Sequence, residues 1–258
     1  MASSDAPLSV GAVTLLTKNR AKVASFYENV VGLNIISDSG YTLTLGQGDT
    51  PLLHLCEEPA AKRRPTEVGL FHTAFLLPMR EDLGAWVRHA TQQNVKLDGA
   101  ADHLVSEALY LEDPEGNGIE IYVDRDRSEW QMEGSSPKLA TLPLDLKELV
   151  ESSERHWQSA PTGTVIGHVH LQVGDVALTD SFYCDEIGFA RMIESPTVNF
   201  YGSGGYHHHI AGNTWRSLSA NKRSEDSTGL LQIDLLAKPG VSDDKNILDP
   251  WGVRVTVR

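Results

Sequence analysis

Hydrophobic and polar positions follow the same order in two distant parts of this chain. Residues 13–33 predict a strand, a helix whose apolar residues keep a 3.6-residue period, a glycine cap and another strand. The same order returns 156 residues later, at residues 169–189. Further strands are predicted at 41–45 and 51–55 in the first copy, and at 198–201 and 206–210 in the second. The chain therefore contains an internal repeat.

A second kind of segment begins at Gly69, continues through an amphipathic helix at about 81–93 and ends in a hairpin. Its strands are predicted at 109–112 and 118–123, and they flank a turn of sequence Asp-Pro-Glu-Gly. This hairpin brings Tyr110 and Glu120 side by side. Because a bare buried carboxylate costs several kcal/mol, Glu120 must be paired, protonated or bound to a metal.

A shortened relative of that second segment begins at Gly229. The distance from its opening glycine to the Asp-Pro turn is 20 residues (229 to 249), against 44 in the complete copy (69 to 113). The loss is large enough to remove a helix and a strand. The pattern predicts an α+β protein of four βαβββ units, with two units in residues 8–124 and the other two in 163–258. Residues 125–162 form the linker, with a short helical pattern at 145–157.

Charge and composition narrow the classes of function. The 258 residues carry a net charge of −13 and no basic cluster interleaved with aromatic residues, which argues against nucleic acid and anionic membranes as partners. Residues 1–7 lack the features of a signal peptide, and no apolar run reaches the roughly 18 residues of a membrane span. Two cysteines outside any C-x-x-C pair indicate a reduced, cytoplasmic protein.

One motif in the second unit is more specific than these features. The run His103-x5-Leu109-Tyr110-x2-Asp113-Pro114-x-Gly116-x3-Glu120 resembles the signature of extradiol ring-cleavage dioxygenases of the vicinal oxygen chelate superfamily. Ala101 departs from the residue usual at its first position. The segments 167–171 (Gly-His-Val-His-Leu) and 204–210 (Gly-Gly-Tyr-His-His-His-Ile) resemble the catechol 2,3-dioxygenase subgroup.

This resemblance implies two half-barrels, each closed by two units, and a metal held by His72, His168 and Glu120. In units one and four the positions of the two histidines are taken by Ala12 and Gln232, so neither unit can complete a site. We therefore expect unit two to pair with unit three, and unit one with unit four.

A second arrangement keeps units one and two together. It uses His54 as the third ligand beside His72 and Glu120, and it has no role for His168.

The implied activity is cleavage of a small aromatic diol by O2 at Fe(II), with Mn(II) as the alternative ion. His207 or His209 would move protons, since a histidine pKa near 6.5 suits that role. In a strand these two side chains share a face, and His208 would point away. Tyr110 and His103 would hydrogen-bond a substrate oxygen.

Two other functions use the same fold. One is a metal-dependent isomerase or thiol transferase of the glyoxalase and fosfomycin-resistance kind, and the other is a metal-free binding protein of the bleomycin-sequestering kind. Association into a homo-oligomer is compatible with the sequence.

Overall fold

The computed structural model describes residues 6–134 and 136–258. Residues 1–5 and residue 135 lie outside this description. The first five belong to the segment 1–7, for which no signal peptide is predicted, and residue 135 belongs to the predicted linker. The described residues form two large curved β-sheets with helices packed against them, and one two-stranded sheet, so the predicted α+β class is confirmed. No helix among them is long and apolar enough to cross a membrane.

The elements follow the predicted order of units. Unit one contains β1 (Leu8–Thr17), α1 (Arg20–Phe26), β2 (Asn34–Asp38), β3 (Thr42–Gln47) and β4 (Thr50–Glu57). Unit two contains β5 (Gly69–Leu76), α2 (Arg80–Gln92), β6 (Gly99–Asp102), β7 (Ser106–Glu112) and β8 (Gly118–Asp124). The linker contains β9 (Met132–Glu133), β10 (Ser136–Pro137) and α3 (Leu146–Glu151). Unit three contains β11 (Val165–Gln172), α4 (Val176–Asp180), β12 (Ala190–Ile193), β13 (Val198–Gly202) and β14 (Ile210–Asn213). Unit four contains β15 (Gly229–Ala237), β16 (Lys245–Leu248) and β17 (Arg254–Val257).

The two repeated helices end in the same way. Each α-helix continues into a π-helical turn, Tyr27–Val31 in unit one and Ser181–Ile187 in unit three. Gly32 (φ 81°) and Gly188 (φ 98°) then close these turns in the left-handed conformation, which glycine adopts without steric cost. The predicted glycine caps are confirmed.

Strand order shows which units share a sheet. The seven-stranded sheet runs β16-β17-β15-β1-β4-β3-β2 and joins units four and one. The eight-stranded sheet runs β12-β13-β14-β11-β5-β8-β7-β6 and joins units three and two. Among the described residues unit four has three strands and no helix, which agrees with the deletion read from the sequence.

Helices and sheet faces bury one large apolar core. Trp86 of α2 is fully buried in it, and its indole N–H donates to the Val30 carbonyl at 2.8 Å, which ties unit two to unit one. The linker helix α3 packs against α2, where a Cβ on Gly84 would lie 2.3 Å from the Leu149 carbonyl oxygen.

Two element boundaries differ from the prediction. The strand predicted at 206–210 is wrong, because β14 begins only at Ile210. Gly204 and Gly205 have positive φ (60° and 71°), so the chain turns there and residues 206–209 form an irregular approach to the strand. Helix α3 is shorter than the pattern at 145–157 and ends at Glu151.

Candidate metal centre

Three adjacent strands of the eight-stranded sheet bring the predicted metal ligands together. β5 runs parallel to β8 and antiparallel to β11, and Ala74 is the register partner of both Glu120 and His168. His72 lies two residues before Ala74 on β5. Residues that are opposite each other, or two apart along a strand, share a face, so all three side chains point to the same side of the sheet.

The ligand atoms of these three residues converge on one point. His72 Nε2 lies 3.0 Å from Glu120 Oε2, His168 Nε2 lies 3.1 Å from the same oxygen, and the two nitrogens are 3.3 Å apart. All three side chains are buried. Among the described residues, this is the group of three that could hold a metal ion.

The spacing of these atoms fits a metal with three ligands on one octahedral face. With bonds of about 2.1 Å, ligands at right angles lie about 3.0 Å apart, and tetrahedral ligands about 3.4 Å apart. The three observed separations of 3.0, 3.1 and 3.3 Å lie between these limits, and two of them are close to the octahedral one. Two imidazoles and one carboxylate are also the donor set of non-haem iron sites.

Electrostatics keep the carboxylate and His168 in their ligand forms. Burial opposes ionisation of Glu120, but His168 and His72 outweigh it and hold the pKa of that carboxyl well below its usual range. Burial lowers the pKa of His168 to about 4, against the opposing effect of Glu120. At neutral pH the carboxylate is therefore charged and the imidazole neutral, as metal binding requires.

The hairpin of unit two adds a tyrosine and a histidine beside the three ligands. Tyr110 and Glu120 are register partners on β7 and β8, as the turn chemistry predicted. His103 Nδ1 lies 2.7 Å from the Ala140 carbonyl oxygen, which can only accept, so Nδ1 carries the hydrogen. In the neutral imidazole Nε2 then accepts from the Tyr110 hydroxyl at 2.7 Å. Burial, and then the charge of Glu120, raise the pKa of Tyr110.

The histidine run 207–209 is arranged differently from the prediction. His207 and His208 line the cavity beside the three ligands, and the His208 ring packs on His168 with centroids 4.1 Å apart. The outward orientation predicted for His208 is wrong, because strand alternation does not apply before β14 begins. His209 stacks on Phe189 and accepts a hydrogen bond from the Ser203 N–H at 3.2 Å.

A carboxylate behind this run sets its hydrogen-bond directions. Asp124 Oδ1 lies 3.0 Å from His207 Nε2, and His207 Nδ1 lies 2.8 Å from His208 Nδ1. The remaining nitrogen of His208, Nε2, is buried and has no hydrogen-bond partner in the described part of the chain. Burial, and then His168, lower the pKa of His208.

Three polar groups lie at this site for which the sequence predicted no role. His170 is the register partner of His72 and lines the cavity. Asp124 lies four residues after Glu120, and the period of two on β8 would have placed it on the same face. The carbonyl of Ala140 comes from the linker, and no local pattern predicts that contact.

The predicted alternative ligand lies elsewhere. His54 is on β4 of the seven-stranded sheet, where its Nδ1 is 3.0 Å from the Thr44 hydroxyl oxygen.

The cavity beside the three ligands has a volume of about 580 Å³ and mostly apolar walls. Its apolar side chains include Phe71, Val105, Leu139, Ile193, Phe200 and Trp215. No lysine or arginine is among the described residues that line it. The lining therefore favours an uncharged, apolar group over an anionic one.

Comparison with known proteins places this geometry in context. The profile of the Glyoxalase/Bleomycin resistance protein/Dioxygenase superfamily matches residues 9–121. Catechol-2,3-dioxygenase of Bacillus subtilis (strain 168) is 36% identical over 228 residues, which cover 86% of this chain and 80% of that protein. Biphenyl-2,3-diol 1,2-dioxygenase 3 of Rhodococcus globerulus is 35% identical over 63 residues, or 24% of this chain and 33% of that one.

Solved structures agree in fold. A candidate dioxygenase from Bacillus subtilis subsp. subtilis str. 168 superposes with a TM-score of 0.64 at 14% identity, covering 96% of this chain and 84% of that one. Glyoxalase I from Zea mays gives 0.59 at 12% identity, covering 97% and 92%. At these identities the likeness concerns the fold alone.

Proposed function

Because the chain belongs to the Glyoxalase/Bleomycin resistance protein/Dioxygenase superfamily, we propose that it is a metal-dependent extradiol dioxygenase that cleaves a small aromatic diol with O2. The observation that carries this proposal is the convergence of His72, His168 and Glu120 on one point beside an apolar cavity. The likeness to a protein named catechol-2,3-dioxygenase supports the choice of reaction.

His72, His168 and Glu120 would hold Fe(II), with Mn(II) as the alternative. When bound, the ion supplies open positions that can take both oxygens of a diol and O2. The apolar walls of the cavity would hold the ring and exclude water, while Tyr110 would position the diol. Since the Tyr110 hydroxyl donates to His103, its oxygen lone pairs remain free to accept from a substrate hydroxyl.

The proton acceptor in this proposal is His208. Asp124 accepts the hydrogen on His207 Nε2, which leaves His207 Nδ1 as the acceptor of the hydrogen on His208 Nδ1. The lone pair of His208 then lies on Nε2, the buried nitrogen without a partner among the described residues. This nitrogen would take a proton from the diol, and His207 with Asp124 would stabilise the charge that His208 gains.

The test is to load the protein with Fe(II) under anaerobic conditions, add catechol and then admit oxygen. We expect uptake of one O2 per diol and a yellow ring-opened product. Glu120→Gln should lose the metal and the activity together. His208→Gln should keep the metal and lose most of the activity, since it removes only the proton acceptor.

Other outcomes would contradict the proposal. A protein that binds Fe(II) but takes up no oxygen with catechol or its alkyl derivatives is not an extradiol dioxygenase. Conversion of a hemithioacetal to a thioester would point to a glyoxalase-type isomerase instead. Failure to bind Fe(II) or Mn(II) at all would favour the metal-free binding function.

A further inference from the structure

A row of polar residues crosses the seven-stranded sheet, away from the metal centre. Arg254, Gln232, Thr14, His54 and Thr44 lie on five adjacent strands, and each is the register partner of the next. Register partners point to the same face of a sheet. The first four of these residues line one cavity of about 480 Å³.

One residue of this row takes the position of a metal ligand in the other sheet. Gln232 on β15 corresponds to His72 on β5, and its partner Arg254 corresponds to Gly118, the partner of His72. The seven-stranded sheet therefore carries an amide in place of the imidazole and a guanidinium in place of a hydrogen atom. The change removes a metal ligand and adds a positive charge in the same cavity.

Two guanidinium groups line this cavity, and the carboxylates whose charges act on Arg223, those of Glu67 and Asp249, lie outside its lining. Arg223 and Arg254 both line it, and no carboxylate is among the described residues that do. Arg254 donates to the Asn246 side-chain oxygen at 2.7 Å and Arg223 to the Ser227 carbonyl. Neither guanidinium has a carboxylate within 4.0 Å in residues 6–134 and 136–258. In a chain of net charge −13, two such cations in one cavity indicate an anionic ligand.

The other walls indicate what kind of anion fits. Gln232 Nε2 donates to Asp234 Oδ1 at 2.7 Å, which leaves the Gln232 side-chain oxygen as an acceptor. Leu231 and Leu248 add apolar surface to the lining. The volume also exceeds what an inorganic ion needs.

We propose that this cavity is a second binding site, separate from the metal centre, for a small organic carboxylate that also carries a hydroxyl group. The arginines would bind its carboxylate, the leucines would contact its carbon skeleton, and Gln232 would accept from its hydroxyl. Arginine suits this role because its planar donors match a carboxylate.

Calorimetric titration of the metal-loaded full chain with 4-hydroxybenzoate tests this proposal. We expect one molecule bound per chain, at least ten-fold weaker binding in Arg254→Gln and partial recovery in Arg254→Lys. The matched control Arg191→Gln removes an exposed arginine of the other sheet and should bind like the wild type. The neutral 4-hydroxybenzamide should not compete.

Glu120→Gln separates the two sites. Binding that survives this variant and weakens in Arg254→Gln supports the second site. Binding that disappears in Glu120→Gln would place the probe at the metal centre and overturn the proposal. The proposal is also overturned if millimolar 4-hydroxybenzoate produces no heat of binding. The same holds if Arg254→Gln and Arg223→Gln both melt like the wild type and both bind with unchanged affinity.

Discussion

Gly167, which directly precedes His168, leaves the space that the Tyr122 side chain fills. A Cβ at this position would lie 1.7 Å from Tyr122 Oη and 2.7 Å from its Cζ, both below the 3.0 Å that real Cβ contacts essentially never cross. In Gly167→Ala the hydroxyl must therefore move by at least 1.3 Å, the difference between 3.0 and 1.7 Å. Tyr122 is fully buried, and its ring lies 5.0 Å from the His168 ring, so its displacement acts on packed neighbours and not on solvent.

The cost of this substitution has two parts. Overpacking a filled core costs about 1–3 kcal/mol. Displacing Tyr122 also breaks its hydrogen bond to the Tyr206 hydroxyl at 2.7 Å, which adds about 1 kcal/mol. We expect the free energy of unfolding to fall by about 2–4 kcal/mol in total. Because the displaced ring supports His168, metal affinity should also fall by about 10–100-fold.

Urea unfolding and titration with Fe(II) measure the two effects. In a Tyr122→Phe background, Gly167→Ala should lower the free energy of unfolding by about 1 kcal/mol less, since the Tyr122 hydroxyl is absent. Gly99→Ala is the matched control in the same sheet: its Cβ would meet only Tyr110 Cδ2, at 3.9 Å, and should change stability by less than about 1 kcal/mol. A Gly167→Ala protein with the wild-type unfolding midpoint and metal affinity would refute the reasoning.

Three further predictions concern other parts of the molecule. Burial raises the pKa of Asp249 to about 6, above the ordinary 3.8, so its ionisation should cost up to about 3 kcal/mol of stability as pH rises through this interval. In urea unfolding between pH 4 and 7, Asp249→Asn should reduce this loss of stability with rising pH. If stability depends on pH as in the wild type, the raised pKa of Asp249 is contradicted. His208→Gln should lower kcat about 10²–10⁴-fold at wild-type iron content, whereas His209→Gln should leave kcat unchanged; the reverse result would make His209 the proton acceptor. Trp86→Phe should lower the free energy of unfolding by about 1–3 kcal/mol, because the hydrogen bond to the Val30 carbonyl is lost. Fe(II) affinity should be retained. A loss of Fe(II) affinity would show that the core and the metal centre are coupled.

Local patterns were enough to predict most of the elements and one side of the site. Hydrophobic periodicity placed the helix at 81–93 close to the observed Arg80–Gln92, and the Asp-Pro turn placed Tyr110 beside Glu120. The shorter distance from the opening glycine to the Asp-Pro turn also predicted that unit four is short. These features depend on residues close together in the chain, so a linear pattern contains them.

The sequence alone also pointed to His72, His168 and Glu120 as one group, through the comparison of repeats and the family resemblance. Their common use as metal ligands stays part of the proposed function. The structure adds the distances between their ligand atoms, which depend on three strands from two units meeting in one register.

Only the tertiary structure decided how the polar groups around His72, His168 and Glu120 are oriented. The turn at Gly204 and Gly205 makes β14 begin only at Ile210 and brings His208 to the cavity beside His207, whereas strand alternation had predicted that His208 points away. The carbonyl of Ala140, supplied by the linker, selects the tautomer of His103, and Asp124 selects that of His207. A hydrogen bond is set by where two distant segments come into contact. Periodicity along one segment carries no information about that contact.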